Sequence, residues 1–254
     1  MLKKRIIPVQ LLLDGRLVKT VAFGTWRDVG DPVKSAAVYN SQNADELIFL
    51  NIARACRTID SLRNMIERVS QVSFMPMAIG GGIATAADAA ELIRTGADKI
   101  VLNSILYRDL TPITATAESF GAQAVVVSID ARWDAAVDRY QLYSDCGRRR
   151  EEVTLADHVG RCVAAGAGEI MIQSIDRDGT MAGYDLELIR QTRAAATVPV
   201  IAAGGSGNYA HLKDVFLETG VGAVACGSLF NFSDSNPMRA KAFLSNYGLA
   251  FKVV

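Results

Sequence analysis

The sequence predicts one parallel (β/α)8 barrel, the TIM-barrel class, and three observations carry that expectation. The chain has 254 residues, long for a single sandwich and usual for one α/β barrel. Short runs rich in Val, Ile, Leu and Ala alternate with segments of helical spacing from end to end. That alternation is the mark of a parallel sheet covered by helices on its outer face. The chain also repeats itself at a spacing of 123 residues, so the ring is expected to be built from two homologous (βα)4 halves.

Strands are expected at Arg5–Leu12, Glu46–Asn51, Met75–Ile79, Lys99–Leu102, Ala124–Ile129, Glu169–Gln173, Val198–Ala203 and Ala223–Cys226. Helical spacing lies between them, for example at Ala86–Thr95, Leu155–Ala165, Asp185–Ala195 and His211–Thr219. No low-complexity linker interrupts the pattern, so residues 1–254 read as a single domain with half-barrels over about 1–122 and 123–254. The repeat lays PMAIGGGIATAADAAELIRTGADKIVLNSILY, from Pro76, over PVIAAGGSGNYAHLKDVFLETGVGAVACGSLF, from Pro199. Gly81 then meets Gly204, Gly82 meets Gly205 and, after one inserted residue, Asn103-Ser104 meet Gly227-Ser228. The same spacing lays ADELIFLNI over AGEIMIQSI and brings Glu46 onto Glu169.

Composition removes several function classes. Half of the residues are apolar and 7% are aromatic, enough for a large aliphatic core. Lys plus Arg and Asp plus Glu balance at 27 each, so no excess charge favours nucleic acid or an anionic membrane as partner. MLKKRIIPVQ reads as a first strand rather than a signal peptide, because Gln10 interrupts its apolar run and no small-residue cleavage site follows. No apolar stretch reaches the roughly 18 residues that span a bilayer. Cys56, Cys146, Cys162 and Cys226 form no CxxC pair and read as reduced structural thiols of a cytoplasmic protein. His158 and His211 both fall in helical segments, which argues against a histidine relay or metal site; neither a metal nor a cofactor is expected.

Gly80-Gly81-Gly82 and Gly204-Gly205-Ser206-Gly207 each follow a strand and precede a helix. There, backbone N–H groups face outward and missing side chains let an anion approach. Ser104 and Ser228 close the next strand in each half, so two phosphate pockets are expected across the mouth. Tight strand-to-helix turns need glycine in any case, and that is the structural alternative. Asp130, in VVVSIDARW, would face the mouth, where barrel enzymes do their chemistry; a loop cap is its alternative. Its counterpart should end strand one, where Gln10, Leu11 and Leu12 stand, so no paired-carboxylate mechanism is evident. Lys19 could reach the mouth from a mobile loop or could remain a solvated charge. Asp178, which opens an Asp-Gly turn, is the better substrate candidate in DRDGT. At the opposite end, Arg5, Glu46, Lys99 and Glu169 all stand at strand starts. They would form a ring of two cations and two anions, either a self-satisfied salt-bridge plug or a polar gate on the barrel axis.

These motifs, in order, closely resemble the cyclase subunit of imidazole glycerol phosphate synthase: MLKKRII, DGR…VK, RDVGDP, DELIFLNI, GGGI, GADKIVLNS, GAQAVVVSID, GAGEIMIQSIDRDGT and AAGGSG. The resemblance covers essentially the whole chain. It implies a glutaminase partner on the bottom face and ammonia passing through the barrel to a two-phosphate substrate at the top. It further implies that Arg5, Glu46, Lys99 and Glu169 are the gate, and that Gly82, Asn103, Ser104, Gly179, Gly205, Gly227 and Ser228 bind phosphate. Lys19 would be the loop lysine, and Asp98 and Gln123 would face the partner.

This sequence also departs from the family. Asp130 matches the second of two catalytic aspartates, but the first position is Leu11, and an aliphatic side chain transfers no proton. The Asp-Ile pair ending strand two is Asn51-Ile52 here, and the strand-six Thr is Gln173. The pattern resembles a divergent branch, the glycosyl amidation-associated proteins of surface-polysaccharide clusters. That branch works with a glutaminase-like protein and a separate sugar amidotransferase to turn an acetamido sugar into an acetamidino sugar. Three functions are therefore expected: an ammonia-conducting subunit with impaired cyclase chemistry, a working cyclase using Asp130 with Asp178 or Asp14, or a phosphate-binding scaffold.

Overall fold

The architecture follows from the period of two in the strands. A computed structural model describes residues 3–53 and 58–252; Cys56 lies outside them. Eight strands form the ring: β1 (Arg5–Leu13), β2 (Leu47–Asn51), β3 (Met77–Gly80), β4 (Lys99–Leu102), β5 (Val125–Asp134), β6 (Glu169–Ser174), β7 (Val200–Ala203) and β8 (Ala223–Cys226). Each pairs in parallel with the next. Parallel pairing of Arg5–Pro8 with Ala223–Cys226 closes the circle. Among the described residues eight helices of nine or more residues lie between or after the strands: α1 (Pro32–Ser41), α2 (Asp60–Val69), α3 (Ala86–Thr95), α4 (Thr111–Phe120), α5 (Leu155–Ala164), α6 (Leu186–Ala195), α7 (Tyr209–Thr219) and α8 (Pro237–Ser245), and a four-residue helix spans Ser228–Asn231. The expected (β/α)8 barrel is thus present, with strand bounds shifted by one or two residues at several ends and with β5 running to Asp134, five residues past its expected end at Ile129.

Alternate strand residues face opposite sides, and the core divides accordingly. Ile6, Leu47, Phe49, Ile79, Ile100 and Val127 join helix residues such as Leu62, Leu92 and Leu188 in an outer shell. A second cluster consists of strand residues alone, among them Ile7, Ile48, Ala78, Val101, Val126, Met171 and Ile201. It fills the barrel interior.

Two antiparallel hairpins, which the sequence reading did not anticipate, rise from the C-terminal mouth. Arg16–Thr20 pairs with β1 and with Trp26–Gly30; Arg139–Ser144 pairs with β5 and with Arg149–Glu151. Each follows the first strand of a half. Loop glycines occupy corresponding places too. A Cβ at Gly81 (φ 90°) would overlap the Asn51 carbonyl oxygen, and one at Gly204 (φ 87°) would overlap that of Ser174. Asn51 and Ser174 are themselves 123 residues apart. These correspondences support a division into two homologous halves.

Local signals set the helix starts. Asp31 accepts from Val33 and Lys34 N–H ahead of Pro32, and Thr154, Asp185, Asn208 and Asn236 cap later helices in the same manner. At α3 the Thr85 hydroxyl accepts the Asp88 N–H while the Asp88 carboxylate accepts the Thr85 N–H, a reciprocal cap. Thr85→Ala is expected to lower stability by about 1 kcal/mol. Urea unfolding should show the loss in the alanine variant and little change in Thr85→Ser.

Candidate active site

A cavity of about 690 Å³ opens at the C-terminal mouth, within the size range of small-molecule sites. Its wall is unequal. Val9, Leu11, Leu50 and Val101 supply an apolar side, and Ser128, Asp130, Gln173 and Asp178 a polar one. The glycines Gly82, Gly179, Gly205 and Gly227, with Asn103, Ser104 and Ser228, also line it, so every phosphate candidate of the sequence reading meets there.

Asp130 is 7% exposed and accepts a hydrogen bond from Asn103 Nδ2 at 2.8 Å. Burial pushes its carboxyl up to about 7; the Asn103 hydrogen bond opposes that shift and the nearby Asp178 charge reinforces it. The group therefore exchanges its proton near neutral pH. Asn103 Oδ1 and Ser228 Oγ are buried without a hydrogen-bond partner among the described residues. Such atoms await a ligand or water, since leaving them unpaired is unfavourable.

Leu11 is the positional counterpart of Asp130. It pairs with Leu50 in β2 and Val18 in the first hairpin, whereas Asp130 pairs with Gln173 in β6 and Tyr143 in the second hairpin. Leu50 and Gln173 are related by the 123-residue repeat. Among the described residues Asp130 and Asp178 are the acids on the cavity wall. Asp14 is exposed, in a turn at φ 50°, and is not on the cavity wall. Asp178 is already committed to a cation.

That cation is Lys19, and here the expectation of a mobile loop lysine is corrected. Lys19 lies on the strand Arg16–Thr20, is 6% exposed, and its Nζ sits 2.8 Å from Asp178 Oδ1. It also donates to the Thr20 carbonyl at 2.7 Å. Asp178 accepts further bonds from Thr20 Oγ1 at 2.7 Å and Gln173 Nε2 at 3.2 Å. Pairing inside a hairpin removes the lysine from solvent, an outcome that depends on contacts 159 residues apart. The parts played by Thr20 and Gln173 escaped the sequence reading because no local signal joins them to Asp178.

At the other end the four predicted charges do meet. Arg5 contacts Glu46 Oε2 and Glu169 Oε1, each at 2.9 Å. Lys99 contacts the same two acids at 2.8 and 3.4 Å. Cations and anions alternate in a closed ring, with the interior cluster directly above. Asp98 and Gln123 are exposed at this base; Asp98 Oδ2 accepts the Met77 N–H at 2.8 Å, and Gln123 Nε2 donates to the Phe120 carbonyl at 2.9 Å. Phe74, 88% exposed just before β3, adds an apolar side chain to the same face that the sequence reading had not singled out.

The histidines are outside the cavity wall. His158 is fully buried, stacked on Tyr107 at 4.2 Å, and burial followed by the Arg161 charge pushes its imidazole down to about 4. His211 Nδ1 accepts the Gly207 N–H at 3.2 Å. Among the described residues no group of three or more His, Cys, Asp or Glu is arranged to hold a metal, and no helix is long and apolar enough to cross a membrane.

Fold and cavity define a parallel (β/α)8 barrel with its pocket at the C-terminal mouth. A family model for the histidine biosynthesis protein matches residues 5–235. The chain is 43% identical over 252 residues to "Imidazole glycerol phosphate synthase subunit HisF" of Lactiplantibacillus plantarum, covering 99% of this chain and 100% of that protein. It is 42% identical to the protein of the same name from Lacticaseibacillus paracasei, with the same coverage. The Myxococcus xanthus relative is 41% identical over 98% of each chain. The chain belongs to the histidine biosynthesis protein family and is a homologue of HisF subunits of imidazole glycerol phosphate synthase.

The raised Asp130 carboxyl makes stability depend on pH. Its folded-state value, about 7, lies above the ordinary value near 3.9, so the folded chain holds a proton that the unfolded chain has released. Stability should fall as pH rises from about 4 to about 7 and then level off. Asp130→Asn removes this slope. Relative to wild type, the variant should gain roughly 2–3 kcal/mol between pH 5 and pH 8 in urea unfolding; a constant difference would contradict the assignment.

Proposed function

We propose that this chain is the ammonia-accepting barrel of a glutamine-dependent complex, with the proton-transfer chemistry of a cyclase impaired. One observation carries the reading: Leu11 stands in the register position of Asp130, while the charged ring at the base is complete. A glutaminase would dock on the base, where Asp98, Gln123 and Phe74 are exposed. Ammonia released there meets Arg5, Glu46, Lys99 and Glu169, and one ion pair must open for it to pass. Above the ring the apolar interior admits neutral ammonia and disfavours ammonium, because an unpaired charge is costly in an apolar medium.

At the mouth the glycine loops with Ser104 and Ser228 would hold two phosphates. Asp130, poised near neutral pH, is left as the lone proton-transfer carboxyl beside the apolar wall of Leu11 and Leu50. The acceptor favoured by this arrangement is an acetamido sugar of surface-polysaccharide synthesis, amidated with the help of a separate sugar amidotransferase. A working cyclase of histidine biosynthesis is the second reading. The identity of 43% over 252 residues to a HisF subunit favours it.

The purified chain, given ammonium salt and the cyclase ribonucleotide substrate, should show little turnover. Leu11→Asp should raise it about 100-fold, the lower range of an acid–base contribution. Robust wild-type turnover, or rescue of a histidine auxotroph, would sink the proposal in favour of the second reading. Failure of any glutaminase to be activated by the chain would instead favour a phosphate-binding scaffold.

The ring offers a separate test. Arg5→Ala leaves Glu46 and Glu169 sharing Lys99 alone. Loss of a partner from a buried pair costs about 3–5 kcal/mol, and the 24% exposure of the Arg5 side chain places this case at the lower end. Glutamine-dependent activity should fall more than ammonia-dependent activity; equal losses would argue against gating.

A further inference from the structure

The two cradles at the mouth are not electrostatic equals. Among the described residues two cationic side chains line the cavity, Lys19 and Arg108. Lys19 is taken up by Asp178 at 2.8 Å and the Thr20 carbonyl at 2.7 Å, and its methylenes lie against Gly227 in the second-half cradle. Arg108 stands at the rim beside Asn103 and Ser104, just after the turn Ser104–Tyr107. It is exposed, and among the described residues it has no ion-pair partner. The repeat that lays Ser104 on Ser228 lays Arg108 on Phe232, an apolar side chain 44% exposed. At this repeat position the first half presents a guanidinium and the second a phenyl ring, while the exposed Arg177 side chain begins beside Gly205 in the second cradle.

Ser104 is also set to donate. Its hydroxyl oxygen accepts the Asp145 N–H at 3.0 Å, which leaves its hydrogen for an oxygen in the cavity. A guanidinium beside a hydroxyl donor suits the oxygens of a phosphate, for which Arg supplies planar, paired donors.

We propose that Arg108 is a specificity-determining residue that makes the first-half cradle the tighter of the two phosphate sites. A ligand with a single phosphate enters at Ser104 and Arg108. A ligand with two phosphates of unequal charge binds with its more highly charged end there, so the pseudo-symmetric mouth accepts it in one orientation. This inference rests on the two-phosphate reading of the cavity.

The test is titration of the full chain with inorganic phosphate at low ionic strength and pH 8, by calorimetry and phosphorus NMR. Wild type should show two classes of site. Arg108→Ala should weaken the tighter class at least tenfold and flatten its salt dependence, whereas Arg108→Lys should retain part of the affinity. Phe232→Arg should strengthen the weaker class. Because residue 108 is exposed, unfolding midpoints should match wild type and exclude a folding defect. Two sites untouched by Arg108→Ala would overturn the role of Arg108 and leave the cradles standing. Absence of any phosphate binding by wild type would overturn the two-phosphate reading itself.

Discussion

Parallel closure of the ring between Arg5–Pro8 and Ala223–Cys226 is the constraint from which the rest of the molecule follows. Once eight strands are locked side by side, the period of two sends every second residue inward, and the ring stacks those residues in layers. Along β1 the inward series begins with Arg5, passes Ile7 and Val9 and ends at Leu11; along β6 it runs Glu169, Met171, Gln173. Charge at the base, aliphatic filling in the middle and the cavity at the top are consequences of one alternation repeated around the circle. A slip of one residue in any strand would send its whole inward series to the helix side.

Within that frame the halves have diverged unevenly. The glycine crossings over Asn51 and Ser174 occupy matching places because backbone meets backbone there and any Cβ would collide. Side chains at the mouth are under no such steric rule. Position 11 holds an aliphatic group where position 130 holds an acid, and residue 108 is charged where residue 232 is aromatic. The hairpins add to the imbalance: the first turns Lys19 toward Asp178 across the mouth, while the second hands the Asp145 N–H to Ser104. The result is a cavity with an apolar side and a polar side, and with its charge concentrated on a few named groups.

Burial decides how those groups behave. Asp130 and Asp178 line the same pocket and are comparably buried, at 7% and 4% exposure, yet their surroundings differ. Asp178 faces an ammonium, a hydroxyl and an amide. Among the described residues Asp130 has a single amide donor and no ion-pair partner, and desolvation pushes its carboxyl up to about 7. Two chemically identical carboxylates thus stand in different surroundings, Asp178 against the Lys19 ammonium and Asp130 with its carboxyl pushed up by burial.

Much of this was legible in the chain itself. Strand and helix alternation, the 123-residue repeat, the paired glycine loops and the four charges at strand starts are local or periodic signals, and periodicity survives folding unchanged. The aliphatic residue at position 11, in the strand-one place that answers to Asp130 in the other half, was equally readable. What the sequence could not supply was pairing between distant segments. Whether Lys19 was a solvated loop charge or a buried ion-pair partner depended on a hairpin folding back onto β1 and meeting a residue 159 positions away. Whether four strand-start charges formed a ring depended on closure, and whether Asp130 titrated near neutrality depended on how much water the folded mouth excludes. Those outcomes are set by three-dimensional neighbours and by desolvation, neither of which has a signature in the order of residues.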